Sequence, residues 1–580
     1  MAVLGAALLL AAAYIFNLGS LYAPTNGDEM VYLHIARLTA DSGHWLPLVS
    51  DLQTPTGAEM RNTKPPLLFW QAMWAGQFGW DLWVLRLPYV LQTLFCALLV
   101  GYVALAVQRR VGAPPSSRTL AQQSLSGKGS STSEREWRAV TAAPLLAAAL
   151  FLGFFSTYRY GRPVLPSSTE SLFLFAVCAL VVTRESVWRR HPVWLALLCG
   201  LLMIPALLVK SFVLAAPVGL WLFAALWLSA QQPFGLSLSK ASWLKLLTCA
   251  WPSTMAVLIG LAGFALWFAL DPNPAAVWRE FIVGENFSTK FSDAHSDSVL
   301  SILFAPLLNA GLLAPLILGL CWVAGKEGWQ ALRHKTPSMT MPQKQLWLWV
   351  TAWLVVFAIP SQRSARYVIP VMPAVAVLVA LYADRIHRFW WMLTLGLIAL
   401  ATAALGWIAY ALAQVVDYAL VYFLAIALVF VLCAVGLVSR RYRTALTASC
   451  GVAWLALLGA LAAPFDGAAG QFDRAVVQPM AGKTIWVPQN FNAQFERYQF
   501  VLKTSPRVQT IPYEASKGLP KNLPKDSLFV TNGCGDCTVL ASRWVLRSRH
   551  AAGEVTLDKL RTRAGVQALL VEREVLIGTK

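Results

Sequence analysis

Apolar residues fall in thirteen blocks along the first four-fifths of the chain, near 1–22, 86–107, 139–157, 168–184, 192–209, 211–230, 246–270, 298–323, 345–360, 367–384, 390–412, 418–438 and 445–463. A helix needs about 20 predominantly apolar residues to cross a bilayer, so each block reads as a span. Lys210 splits one long run, and a polar stretch breaks the run 345–384. Beyond Pro464 the pattern changes. Apolar runs shrink to strand length at 484–487, 499–502, 527–530 and 568–571, with Gly, Pro and Asn between them, and 555–563 predicts a short helix. The pattern therefore predicts a mostly α polytopic membrane domain, 1–464, followed by a small soluble α/β domain, 465–580.

Composition agrees with that division. Hydrophobic residues make up 57% of the 580 and charged residues only 13%, against about a quarter in soluble proteins. The net charge of +19 would suggest nucleic acid in a soluble protein. Here it reads as positive-inside bias, and no nucleic-acid partner is expected. With the N-terminus cytoplasmic, the loops 108–138, 184–191, 231–245, 324–344, 385–389 and 439–444 carry 20 Lys and Arg, against 10 in the outer loops before 464. Thirteen spans then leave the C-terminal domain outside. The first block lacks a basic leader and a cleavage site, so it reads as a retained span. The Ser-, Gly- and Pro-rich stretch 112–133 reads as a flexible linker within the cytoplasmic segment 108–138.

Chemistry concentrates in the outer loop 23–85. Asp28 and Glu29 open a predicted amphipathic helix over 28–42, with Asn26 or Asp28 placed to cap it. Two adjacent acids at a membrane boundary are costly unless solvated or paired. They serve either as helix caps that favour the dipole or as functional acids. Lys64-Pro65-Pro66, taken alone, reads as a helix start with a snorkelling lysine. Arg159, Arg162, Lys210, Arg363 and Arg366 lie on the same predicted face, with Glu170, Glu285, Asn286 and Tyr367. Such cations suit a phosphate head group, which Arg pairs in bidentate fashion. Cys534 and Cys537 are open to three readings: a redox pair, half a metal site or a structural disulfide. A zinc site would need two further ligands, and an oxidising outer compartment favours the disulfide.

The order Gly27-Asp28-Glu29, Ala36-Arg37, Ser42-Gly43-His44-Trp45, Lys64-Pro65-Pro66-Leu67 resembles the first outer loop of the arabinose-transferase and protein-mannosyltransferase superfamily. These are membrane glycosyltransferases of the GT-C fold. The stretch 361–374, with Tyr367-Val368-Ile369-Pro370 and Met372-Pro373-Ala374, resembles the family's motif at the entry to a later span. Glu285-Asn286 with Phe291 resembles its Glu-His/Asn…Phe outer loop. The resemblance covers about 1–384, and the span count with an outer C-terminal domain is similar to the bacterial lipid A aminoarabinose transferases.

The resemblance implies an inverting transferase of a bacterial inner membrane, using a polyprenyl-phosphate sugar donor and a glycolipid acceptor such as lipid A. It implies Asp28 in the catalytic acidic position with Glu29 beside it. Lys64, Lys210 and Arg363 or Arg366 would hold the donor phosphate or the acceptor. Glu170 stands where the family has an Asp before the fourth span, and Lys210-Ser211 where it has Lys-Gly. No cofactor is required, a divalent cation stays open, and a monomer is expected. A protein O-glycosyltransferase of the same fold, a transporter or flippase for a lipid-linked anion, and a non-catalytic assembly or sensor protein built on a decayed transferase scaffold are the alternatives. A transporter would be expected to show matched repeats and broken helices, and the sequence shows none.

Overall fold

The computed structural model describes residues 2–22, 27–46, 50–53, 59–60, 64–111, 143–230, 240–288, 290–291, 297–334, 339–489, 494–520, 527–533, 537–547, 550–551 and 553–578. Asn26, the linker 112–133 and Cys534 lie outside them.

Every predicted apolar block contains helix. Among the described residues, nine helices are long and apolar enough to cross a membrane, against the thirteen expected. Three shorter apolar helices, Gly5–Ile15, Ala143–Gly153 and Ala365–Leu381, account for further blocks. The helices pack through small residues and aromatic wedges. A side-chain carbon on Gly200 would stand 2.6 Å from Ile259 Cβ, and one on Gly263 would stand 2.5 Å from Ile204. Glycine at these points lets the helices Pro192–Val209 and Lys240–Leu270 approach backbone to backbone, where lipid provides no hydrophobic drive for packing. Trp221, Trp349 and Trp353 are fully buried. Their cost is met where a partner exists: Trp221 Nε1 donates to Gln345 O at 2.9 Å and Trp349 Nε1 to Pro370 O at 3.1 Å.

The helix Gly27–Asp41 forms where the sequence predicts it. Buried Met30, Leu33, Ala36 and Arg37 mark its inward face, at helical spacing. After the short antiparallel pair β1 (Ser50–Gln53) and β2 (Glu59–Met60), Pro66 precedes the helix Leu67–Gly76. A proline there forfeits only a backbone donor that a helix start leaves unused.

The C-terminal sheet has the order β4-β3-β5-β7-β6, from β3 (Thr484–Pro488), β4 (Gln509–Tyr513), β5 (Leu528–Thr531), β6 (Thr538–Leu546) and β7 (Val571–Gly578). Strand β3 pairs parallel with β4 and β5, while β7 pairs antiparallel with β5 and β6. Two strand expectations are corrected. Residues 499–502 are largely helical, within Tyr498–Val501, because the buried Tyr498 hydroxyl is drawn to Glu574 at 2.8 Å. Residues 568–570 end the helix Arg563–Leu570, which Thr562 caps by accepting from Gly565 N at 3.1 Å, and the strand begins at Val571. A four-residue apolar run fits either state, so packing decides. Cys537 is disulfide-bonded, whereas the seven cysteines in or beside the apolar blocks are free.

The outer-loop helix and the sheet share one core. Met30, Leu33 and Ala36 pack in the same cluster as Ile485, Val487, Phe495 and Phe500. Glu496, 1% exposed, forms an ion pair with Arg37 at 2.8 Å and meets His34 Nδ1 at 3.0 Å, both on the helix Gly27–Asp41.

Candidate active site

A cavity of about 330 Å³ opens between this helix and the ends of the membrane helices. Asp28, Lys64, Glu170, Lys210, Glu285, Asn286, Arg366 and Tyr367 line it, together with Tyr32, Ser211, Lys290 and Gln362. Eight residues singled out in sequence thus converge from six separate segments.

Each carboxylate in the wall meets a cation. Arg366 donates to Asp28 Oδ2 at 3.0 Å, and Lys210 to Glu170 Oε2 at 2.9 Å. Lys64 pairs with Glu285. Glu170 is fully buried, and its Oε1 has no hydrogen-bond partner among the described residues. A buried carboxylate oxygen without a partner is costly, so it is a position where a bound hydroxyl or amine is favoured. Asn286 Oδ1 accepts from Ser211 Oγ at 2.9 Å and Lys290 Nζ at 3.0 Å, and its amide donates to Phe281 O at 2.8 Å. The Tyr367 ring has Lys210, Lys290 and Arg366 at 5.5, 5.6 and 5.9 Å from its centre. Its π face offsets part of the repulsion among the three cations.

Among the described residues four cations face three carboxylates across this cavity, and the described contacts of Lys290 include no carboxylate. Burial lowers its ammonium to about 8 from the ordinary 10.5; Lys210, Lys64 and Arg366 push the same way and Glu285 opposes them. Tyr32 is raised, chiefly by burial and then by Asp28 and Glu285, and stays a neutral hydroxyl.

Lys290 and Tyr32 were missed in sequence, although spacing carried the signal. Tyr32 lies four residues beyond Asp28 and Lys290 four beyond Asn286, which places each pair on one helical face. Glu285 and Asn286 sit in a wide helical turn, Trp278–Ser288, rather than in an irregular loop.

Four expected residues stand apart from the cavity. Glu29 turns the other way and is fully buried, with its oxygens 2.8 and 2.7 Å from Arg86 Nε and Nη2. It also accepts from Val164 N at 2.9 Å, while Arg86 Nη1 donates to Leu18 O and Ser20 O at 2.8 and 2.7 Å. This is a structural knot. Arg162 is buried, with its guanidinium 4.4 Å from the Tyr158 ring centre, and donates to Phe16 O at 2.5 Å. Arg159 is exposed and covers the rings of Phe155 and Tyr160. Arg363 binds the segment at Asp297, its backbone donating to Oδ2 at 2.9 Å. The expected cluster of five outer cations therefore contributes only Lys210 and Arg366 to the wall. Among the described residues no group of three or more His, Cys, Asp or Glu side chains could hold a metal ion.

No family model matches the sequence, and no curated protein matches it. Solved structures do. ArnT from Cupriavidus metallidurans in the apo state superposes with a TM-score of 0.58 at 17% identity, over 100% of this chain and 98% of that one. The same protein bound to undecaprenyl phosphate gives 0.57 at 17% identity, over 99% and 97%. At this identity the likeness is one of fold, and it runs through both the helical bundle and the C-terminal sheet. The chain has the ArnT-like GT-C fold that its outer-loop motifs led one to expect.

Proposed function

We propose that this protein is an inverting glycosyltransferase that moves a sugar from a polyprenyl-phosphate donor to a glycolipid acceptor at the outer face of a bacterial inner membrane. The observation that carries this reading is the paired cavity, three acid–base pairs with Lys290 in excess beside an aromatic ring. A net positive, partly desolvated cavity at the ends of membrane helices suits a phosphate carried on an apolar tail. The ArnT structure with undecaprenyl phosphate supports a donor of that class in this fold.

In this reading Lys64, Lys210, Lys290 and Arg366 receive the donor phosphate. The acceptor oxygen attacks the anomeric carbon as the carbon–oxygen bond to phosphate breaks, and the polyprenyl phosphate departs with the bonding pair. Fixed cations aimed at the developing phosphate charge supply the larger share of the rate. Where the acceptor is a hydroxyl, Asp28 takes its proton, and Arg366 holds that carboxylate in place. Where the acceptor is a lipid phosphate, already ionised, a base is hardly needed and Asp28 positions Arg366 instead. Glu170 Oε1 offers an acceptor for a sugar hydroxyl or amine. The segment 23–85 and the domain 465–580 then lie on the periplasmic side and the N-terminus in the cytoplasm.

The test is transfer by purified protein from polyprenyl-phosphate sugars to lipid A and other outer-leaflet glycolipids, beside Asp28→Asn. Transfer by wild type that is lost in Asp28→Asn is the expected result. Transfer that survives the substitution removes Asp28 from the mechanism. Lipid movement across liposomes without transfer favours a transporter, and transfer to protein hydroxyls moves the acceptor class.

A further inference from the structure

A second cavity lies far from the first. It has a volume of about 490 Å³ and is walled by Phe223, Ala224, Trp227, Leu246 and Trp347, with Lys344 as the one charged side chain among its described lining residues. Two helices fix its depth. The helix Ala215–Ser229 starts just after Ser211, which lines the candidate active site, and reaches this cavity only in its later turns. The helix Met341–Ala358 runs the opposite way, with Lys344 in its first turn and its C-terminal end leading to Gln362 and Arg366. At 1.5 Å per residue the two cavities are roughly 20 Å apart along both helices, a large part of a hydrocarbon core of about 30 Å. They therefore open toward opposite leaflets.

We propose that this second cavity binds an anionic glycerophospholipid of the leaflet opposite the candidate active site, with an acyl chain among the aromatic and aliphatic side chains and the head group on Lys344. Apart from Lys344 and Thr351 the described lining is aliphatic or aromatic, so an acyl chain is what fits it. Charge selects the lipid. Lys344 is half-buried at the rim, and the connected helix Ala314–His334 ends at the same side with Arg333 and His334 in its last turn. Basic pockets between membrane helices on the positively biased side recognise anionic head groups. Trp227 and Trp347 mark the interfacial level at which a head group meets its chains.

The experiment is native mass spectrometry of the delipidated full chain titrated with phosphatidylglycerol or phosphatidylcholine of identical acyl chains. Wild type is expected to bind phosphatidylglycerol several-fold more tightly, with a larger rise in thermal midpoint. Lys344→Gln is expected to lose that preference and Lys344→Arg to keep it, while Ala224→Trp, which fills the groove, weakens binding of both lipids. Equal binding of the two lipids by wild type overturns the proposal, as does a preference that persists in Lys344→Gln. Unchanged lipid binding in a folded Ala224→Trp, judged by its wild-type thermal midpoint without lipid, also overturns it. So does a second copy of the chain cross-linked into the groove through Ala224→Cys.

Discussion

Arg366 donates to Asp28 at 3.0 Å across 338 residues of sequence. Both side chains are partly exposed, at 47% and 40%, so the pair is screened and contributes little to stability. Its consequence is positional. Asp28→Asn is expected to lower transfer to a hydroxyl acceptor by about 10²–10⁴-fold, the usual worth of a general base, with an unchanged thermal midpoint. Comparing kcat/KM with the unfolding curve checks both halves.

Glu29, the next residue, has the opposite profile. Removing one partner of a buried ion pair costs about 3–5 kcal/mol, so Glu29→Gln is expected to destabilise the fold while folded molecules keep their turnover. Glu29→Gln combined with Arg86→Met should recover part of the loss, because no buried charge then stands alone. Thermal unfolding in micelles, with activity per folded molecule, separates this from a catalytic role.

The Lys290 ammonium, lowered to about 8, sets an alkaline limit. As pH rises through 8 the free enzyme loses this cation, and kcat/KM for the phosphate donor should fall. Lys290→Arg should keep the plateau to higher pH. The stability effect has the reverse sign: between about 8 and 10.5 the unfolded chain holds more protons on this residue, so its contribution to stability rises with pH. A fall in activity there, with no loss of folded protein, is the expected signature.

Glu496 joins the C-terminal domain to the helix that begins with Asp28. Glu496→Ala leaves Arg37, only 8% exposed, without its counter-ion. The expected cost is again about 3–5 kcal/mol. Limited proteolysis should release the C-terminal region sooner, and kcat should fall as the helix loosens. Wild-type proteolysis rates would show that the two bodies are held together by the shared apolar core alone.

Much of this molecule was legible in sequence because lipid imposes strict rules. Every backbone group in a membrane span must be satisfied locally, so apolar length alone predicted helices. The outer-loop helix was legible from its periodicity, and Asp28, Lys64, Glu170, Lys210, Glu285 and Arg366 from residue type and order. What sequence left open was direction. Asp28 and Glu29 are neighbours, yet consecutive helical positions point about 100° apart, and only the tertiary structure turns one to the cavity and the other to Arg86. Arg162 and Arg363 are cations on the right segments whose packing partners claim them. Lys290 needed the fold around Asn286 to become part of the site. In the C-terminal domain, short apolar runs near 499 and 568 fit helix or strand equally, and long-range burial against Glu574 and the sheet decided them. Residue pattern and order were enough for the spans, the outer helix and a set of charged residues able to meet. Tertiary packing decided which charges face each other, because pairing depends on distances that no local pattern encodes.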